Sequence, residues 1–479
     1  MKKLLFTFLL LAGVFALSAQ PAVSPQLRFG RIGLERGLSQ STVFVTYQDS
    51  QGYLWFGTED GLNKYNGYNF DVYKFDPTDS ASISNNIVRC IQEDKDGDLW
   101  IGTDNGLNRY NRHNGSFTRF LHDPSNARSL SNNLVSGIVQ DKAGILWIGT
   151  ANGLNALDPA TGNFTTYRST AGNPVTLSGN TISTLMADRS GTIWVGTSGS
   201  GLNAWDPVSK KAIRYLAAPG QLSENDVVAL AQDRQGVVWI GTVNGGLNSL
   251  SANGKFRSYT ADHNELPNNS VFSIHEDRQG VLWVGTLGGG LVAMNAARTS
   301  QRVYRHDVQN AESVSGNKVW SIFEDAAGTL WFGTSNGISY YNRTIAKFVT
   351  HRPSQTDDSN NNSVFSVFED PRGICWTGVL GGGVHAFDRK ENRFVDERFP
   401  FLADPRLRFS NPFSLLVDNQ GTLWVGTNDG LLSVDPRSGS IVQYRNAPSD
   451  PGSLPNNYVR TLYQDRAGTL WIGTHGGGL

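Results

Sequence analysis

The sequence predicts an all-β fold, a β-propeller built from about ten copies of one four-stranded repeat. Three observations carry this. Tryptophan recurs at 55, 100, 147, 194, 239, 283, 331, 376, 424 and 471, every 44 to 48 residues, and only Trp205 and Trp320 fall outside the series. An aspartate stands six residues before each of the ten, from Asp49 to Asp465, with a glycine three residues after it. A second glycine follows each tryptophan by two positions, and Thr comes next in every copy except at Val379. Repeats of about 40–50 residues marked by Gly and Trp are the signature of propeller blades. The alternative, an open β-solenoid, has shorter repeats.

Each element has a physical cause. Asp-x-x-Gly, as in Asp94-Lys95-Asp96-Gly97, joins two apolar runs. Asp favours the first position of a type I turn and Gly the left-handed residue that ends it, giving a tight hairpin. The flanking runs, residues 135–139 and 145–148 in the third repeat, are short and β-branched. They are apolar at nearly every position, as strands covered on both faces must be. The Gly-Thr-x-x-Gly-Leu segment makes the second hairpin. Outer strands at residues 117–120 or 164–167 complete four strands in about 45 residues.

The bulk numbers bound the function. The chain has 479 residues, too many for one ordinary core. It holds 53 Gly, and 41 basic against 42 acidic residues give a net charge of -1. That balance leaves no electrostatic footprint for nucleic acid or anionic lipid. Lys2 and Lys3 precede an apolar run at residues 4–17, then small residues at Ser18 and Ala19. This reads as a secretory signal peptide over residues 1–19, since the run is shorter than the ~20 residues of a membrane span. The two cysteines, Cys90 and Cys375, are far apart and read as small buried hydrophobes.

Nothing in the chain reads as catalytic, as a metal site or as a cofactor site. Gly333-Thr334-Ser335-Asn336-Gly337 matches a nucleophile elbow. Other repeats place Glu59, Asp104, Ala151 or Asn428 at the serine position, and the turn joins strand to strand. Asp94, Asp96 and Asp98 have the look of a calcium loop. Sister copies read Asp-Arg-Gln-Gly or Asp-Ala-Ala-Gly, which points to a solvated hairpin. Asp188 to Trp194 is similar to the aspartate box of sialidase propellers, with different spacing. His275, His306 and His385 show no ligand spacing.

Trp-Ile-Gly-Thr-x-x-Gly-Leu-Asn, preceded by Asp-x-x-Gly, resembles the two-component regulator propeller repeat. So do the opening Gly37-Leu38-Ser39-Gln40 and the lead-in from Ser129 to Asn133. The resemblance covers about nine-tenths of the chain. It implies the periplasmic sensor region of a membrane-bound receptor, often a hybrid histidine kinase tied to polysaccharide use, sometimes a diguanylate cyclase. It also implies seven blades per ring. The expected layout is a seven-bladed propeller over residues 26–343 and the first blades of a second, incomplete propeller over residues 344–479. Residues 27–32 are expected to pair with the last blade of the first ring and close it. The tenth copy stops within its second turn, so the chain reads as a fragment whose output domains lie elsewhere.

The function expected is extracytoplasmic ligand sensing, with a small-molecule or oligosaccharide ligand and no nucleic acid. A homodimer would form through the full-length receptor, and the membrane would be reached only through a helix beyond this segment. Two other classes stay open: a free-standing secreted propeller binding carbohydrate or protein, and a propeller enzyme such as a lyase or glycosidase. The site residues are the least determined. The position after the first Val of each inner strand varies inside a fixed frame: Arg89, Ser136, Ser183, Val228, Phe272, Trp320, Phe365 and Arg460. It is expected near a channel mouth, where Trp320 can stack on a sugar and Arg89 can grip an acid. Ordinary contact between blades is the competing explanation.

Overall fold

The computed structural model describes residues 27–159, 161–343, 351 and 363–479. The signal peptide expected over residues 1–19 lies outside them. The chain divides into two compact units, residues 1–347 and 348–479.

The first unit holds seven four-stranded antiparallel sheets. Six are contiguous in sequence. The first sheet runs Val43–Gln48, Leu54–Thr58, Gly61–Tyr65 and Phe70–Tyr73. The seventh takes three strands from its own repeat, Val319–Glu324, Leu330–Thr334 and Gly337–Tyr341. Its outer strand is Gly30–Ile32, with Gly30 opposite Tyr340 and Ile32 opposite Ile338. The first strand of each sheet packs on the first strand of the next, and Val319–Glu324 packs on Val43–Gln48. Thr46 and Ser321 hydroxyls meet across this junction at 3.1 Å, and the Ala326 N–H donates to Gln48 Oε1 at 2.7 Å. The ring is therefore closed by both ends of the unit.

The second unit has two four-stranded sheets, beginning at Val364–Glu369 and Ser414–Val417, and a two-stranded pair, Val459–Gln464 with Leu470–Thr474. Three short helical turns, Asp396–Arg398, Pro400–Ala403 and Pro405–Arg408, lie between its first two sheets. Phe401, Leu402 and Leu407 from these turns join Trp376 in a buried cluster. The repeat pattern gave no sign of them.

The second strand of every sheet in the first unit is buried at each position, as in Leu54–Thr58. This is why those runs do not alternate. The repeated aspartate does more than start a turn. Asp49 Oδ1 accepts the Gln51 and Tyr53 N–H groups, and its Oδ2 accepts Trp55 Nε1 at 2.8 Å. The buried polar residues of the repeat are likewise matched. Asn108 Oδ1 accepts the Ser84 N–H and its Nδ2 donates to Ser84 Oγ, tying the lead-in loop to the third strand. The same pairing joins Asn155 to Ser131. Satisfied in this way, a buried amide costs little and fixes register.

Candidate functional site

The variable position singled out in the sequence has a structural identity. In the first sheet the pairing jumps from Val43–Thr58 to Val45–Gly57, so Phe44 is the extra residue of a β-bulge. The same jump falls at Arg89, Ser136, Ser183, Val228, Phe272 and Trp320 in the next six sheets. A bulge bends its strand and re-aims one side chain. The fold repeats that device seven times around the ring, at the start of the strand that packs on its neighbours. Phe44 is the member that the sequence reading missed, although it follows Val43 as the others follow a valine or, at Ser183, Ile182.

The seven side chains are not alike, and their order matters. Trp320 stands between Phe272 and Phe44, with ring centroids at 5.2 and 5.4 Å and interplanar angles of 83° and 79°. The Arg89 guanidinium lies 4.8 Å from the Phe44 ring. Four consecutive sheets thus contribute an aromatic arc that ends on a cation. Arg89 is also paired: Nε and Nη2 donate to the two Asp104 carboxylate oxygens at 2.7 and 3.0 Å. This hydrogen bond raises the Arg89 pKa, against the opposing effect of burial. Any acid gripped by Arg89 competes with Asp104. The indole N–H of Trp320 is buried with no hydrogen-bond partner among the described residues. Across the ring the position is structural: Ser136 Oγ donates to Ile182 O at 2.7 Å, and Ser183 Oγ donates to Val227 O, each a carbonyl of the next sheet.

The second unit repeats the motif. Phe365 and Arg460 again sit at bulges. Phe365 meets Phe413 edge-on at 5.5 Å, and the Arg460 guanidinium lies 4.8 Å from the Phe413 ring.

The other residues that drew notice have ordinary partners. Ser335 lies in the turn between Leu330–Thr334 and Gly337–Tyr341, its N–H donating to Lys318 O. Asp94 is occupied by Trp100 and its own turn. His306 Nδ1 contacts Val314 O at 2.9 Å, and His385 Nδ1 lies 2.6 Å from Asp396. His275 is the exception: its Nε2 is buried 3.8 Å from Glu324, with no hydrogen-bond partner among the described residues. Burial pushes the Cys90 thiol up to about 12. Among the described residues, no group of three or more His, Cys, Asp or Glu side chains is placed to hold a metal.

Comparison with known proteins gives these repeats a name. The family described as "Two component regulator propeller" matches nine stretches: 37–60, 82–105, 129–152, 176–199, 221–244, 265–288, 313–336, 406–429 and 453–476. Nine of the ten repeats thus match the two-component regulator propeller repeat. The eighth copy, which carries Val379 in place of threonine, is not among the nine. A 48-residue stretch is 56% identical to Histidine kinase P4 of Formosa agariphila, covering 10% of this chain and 4% of that protein. A crystal structure described as the extracellular domain of a hybrid two-component system of B. thetaiotaomicron matches at 28% identity and a TM-score of 0.67. It covers 95% of this chain, and the chain spans 65% of that domain's length. A second such domain from the same organism matches at 25% identity and a TM-score of 0.54, with 95% and 58% coverage. Virginiamycin B lyase from Staphylococcus aureus shares the fold alone, at 14% identity and a TM-score of 0.52, over 66% of this chain and 99% of that one. These two-component regulator propeller repeats are thus of the type found in extracellular domains of hybrid two-component sensors. No helix among the described residues is long and apolar enough to cross a membrane.

Proposed function

We propose that this chain is the ligand-sensing region, outside the cytoplasm, of a hybrid two-component receptor, and that it senses rather than catalyses. The observation that carries this reading is the aromatic arc of Phe272, Trp320 and Phe44, presented by seven-fold repeated bulges and ending on the Arg89–Asp104 pair. Aromatic faces beside a charged, hydrogen-bonding pair suit a polyhydroxylated ligand. The rings cover its apolar C–H faces, and the ion pair exchanges hydrogen bonds with its hydroxyls. An oligosaccharide is the ligand class inferred. In the receptor as a whole, the signal would pass to a histidine kinase across the membrane, through a dimer of full-length chains.

The test is binding of a glycan panel to this chain by calorimetry, followed by the Phe44→Ala and Trp320→Ala variants. A glycan that binds the parent, with at least tenfold weaker binding in both variants, is the expected result; that is ~1.4 kcal/mol. Binding that survives both substitutions removes the aromatic arc as the site. Turnover of a panel member would favour a propeller lyase or glycosidase instead.

A further inference from the structure

At the opposite end of the inner strands, three arginines close the groove between neighbouring sheets of the first unit. Arg112 of the second repeat reaches back to the first, donating to Asp49 Oδ2 at 2.8 Å, and donates to its own Glu93 at 2.7 Å. Arg343 of the seventh donates to Asp277 Oδ2 of the sixth at 2.6 Å. Arg298 of the sixth lies 5.6 Å from the Trp239 ring of the fifth and 3.9 Å from Asp233. Arg112 and Arg343 donate to the turn aspartate that also holds the repeat tryptophan, as Trp55 Nε1 and Trp283 Nε1 are held, while Arg298 pairs with its turn aspartate by charge and donates to Glu276. The fold therefore contains worked examples of guanidinium bound between two blades.

The groove between the third and fourth sheets lacks this arginine. Arg112 and Arg343 each stand six residues after the glycine that opens their third strand, Gly106 and Gly337; six residues after Gly201 stands Pro207. A cavity of 670 Å³ occupies the place, with Asp141, Trp147, Tyr167 and Pro207 among its walls. Asp141 Oδ2 accepts Trp147 Nε1 at 2.8 Å and no other donor among the described residues, whereas Asp49 Oδ2 and Asp277 Oδ2 each accept two. Asp141 is half-buried, whereas Asp49, Asp233 and Asp277 are buried. The wall is acidic overall: Asp141, Asp158 and Asp206 outnumber Lys142 and Lys210. Lys142 Nζ, on the cavity wall, donates to Arg189 O at 2.8 Å.

We propose that this cavity is a binding site for a guanidinium group of arginine type, which takes the position that Arg112 and Arg343 hold in the sister grooves. The carboxylate of Asp141 would accept a charge-assisted hydrogen bond, and the neighbouring Trp147 would supply an aromatic face as Trp239 does for Arg298. A guanidinium brings a planar fork of donors that also stacks on an aromatic face, which a compact ammonium does not.

The test titrates the full chain with L-arginine, the peptide Gly-Arg-Gly and ethylammonium, read by saturation-transfer NMR and calorimetry. Arginine in one or both forms should bind at least about tenfold tighter than ethylammonium. Preference for the free amino acid would make the ligand a small molecule, and preference for the peptide would make it a side chain of a partner. Asp141→Asn should weaken binding about tenfold, the loss of one charged hydrogen bond. Pro207→Arg should fill the groove from within, abolishing binding while the chain melts no lower than the parent. Ethylammonium binding as well as arginine, no arginine binding at all, or unchanged binding in a folded Pro207→Arg chain would each overturn the proposal.

Discussion

The indole Nε1 of Trp55 donates to Asp49 Oδ2 across six residues at 2.8 Å, and the same bond recurs in all ten repeats, down to Trp471 and Asp465 at 2.9 Å. It ties the hairpin turn to the wedge of core between blades. A side chain this large, placed so deep, sets the scale of the losses expected on substitution.

Trp147→Ala should destabilise the first unit by about 3–5 kcal/mol, as for a buried large aromatic. Asp277→Ala should cost about 3 kcal/mol or more, since it strands the Trp283 N–H and an Arg343 partner. Asp465→Ala, on a partly exposed carboxylate beside Trp471, which is 44% exposed, should change little. Denaturant melts of the three variants rank them. Equal midpoints would mean that the pair is decorative.

Two glycines of the repeat should fail for different reasons. Gly52 has φ +90 and nothing within 4 Å of an added Cβ, so Gly52→Ala should cost only the left-handed strain of about 1–2 kcal/mol. Gly57 sits on an ordinary extended strand, but an added Cβ would fall 2.6 Å from both Val45 and Val88 side chains. Gly57→Ala should therefore overpack the contact between the first two sheets and cost about 1–3 kcal/mol, more than Gly52→Ala. Paired thermal melts read the order.

Cys90 should resist alkylation in the native chain and react once unfolded. Burial raises its thiol from 9.0 to about 12, so the folded state keeps the proton that the unfolded state releases. This contribution is complete below pH 9 and is lost as the pH climbs toward 12. Stability measured at about pH 8 and about pH 10 should fall further in the parent than in Cys90→Ala. Parallel losses would place the titration elsewhere.

A chain beginning after residue 33 should lose the outer strand of the seventh sheet. Phe29, 3% exposed, leaves the core with it, as do the Arg31 hydrogen bonds to Ser313 at 2.7 and 2.9 Å. The bare edge of Gly337–Tyr341 then invites pairing with other chains. Lower melting and concentration-dependent aggregation are expected by light scattering. A trimmed chain as monomeric and stable as the parent would show that the seam is dispensable.

The fold was legible because the repeat wrote each constraint ten times. Turn glycines, doubly covered strands and the six-residue Asp–Trp spacing all stand out once aligned, though the bond behind that spacing needed the coordinates of Asp49 and Trp55. The row of bulges was legible for the same reason in reverse: Arg89 and Trp320 vary where their neighbours do not. What sequence withheld was the company they keep. That Asp104 holds Arg89 is a contact within one repeat that spacing does not announce, and that Phe272 and Phe44 flank Trp320 depends on which repeats lie side by side around a ring. The helical turns from Asp396 to Arg408 occur once, so no comparison between copies could announce them.

The seam between Gly30 and Tyr340 imposes an order of events. A ribosome makes Gly30–Ile32 before any blade exists, yet its partner strand emerges some three hundred residues later. Until then the first-made strand has nowhere to dock, and every earlier blade stacks on an open neighbour. Closing so long a loop is a late step, and contacts of such sequence separation slow folding. The ring behaves like a clasp: the finished circle locks all seven blades at once, and a chain interrupted at any point before Tyr341 would have none of them locked.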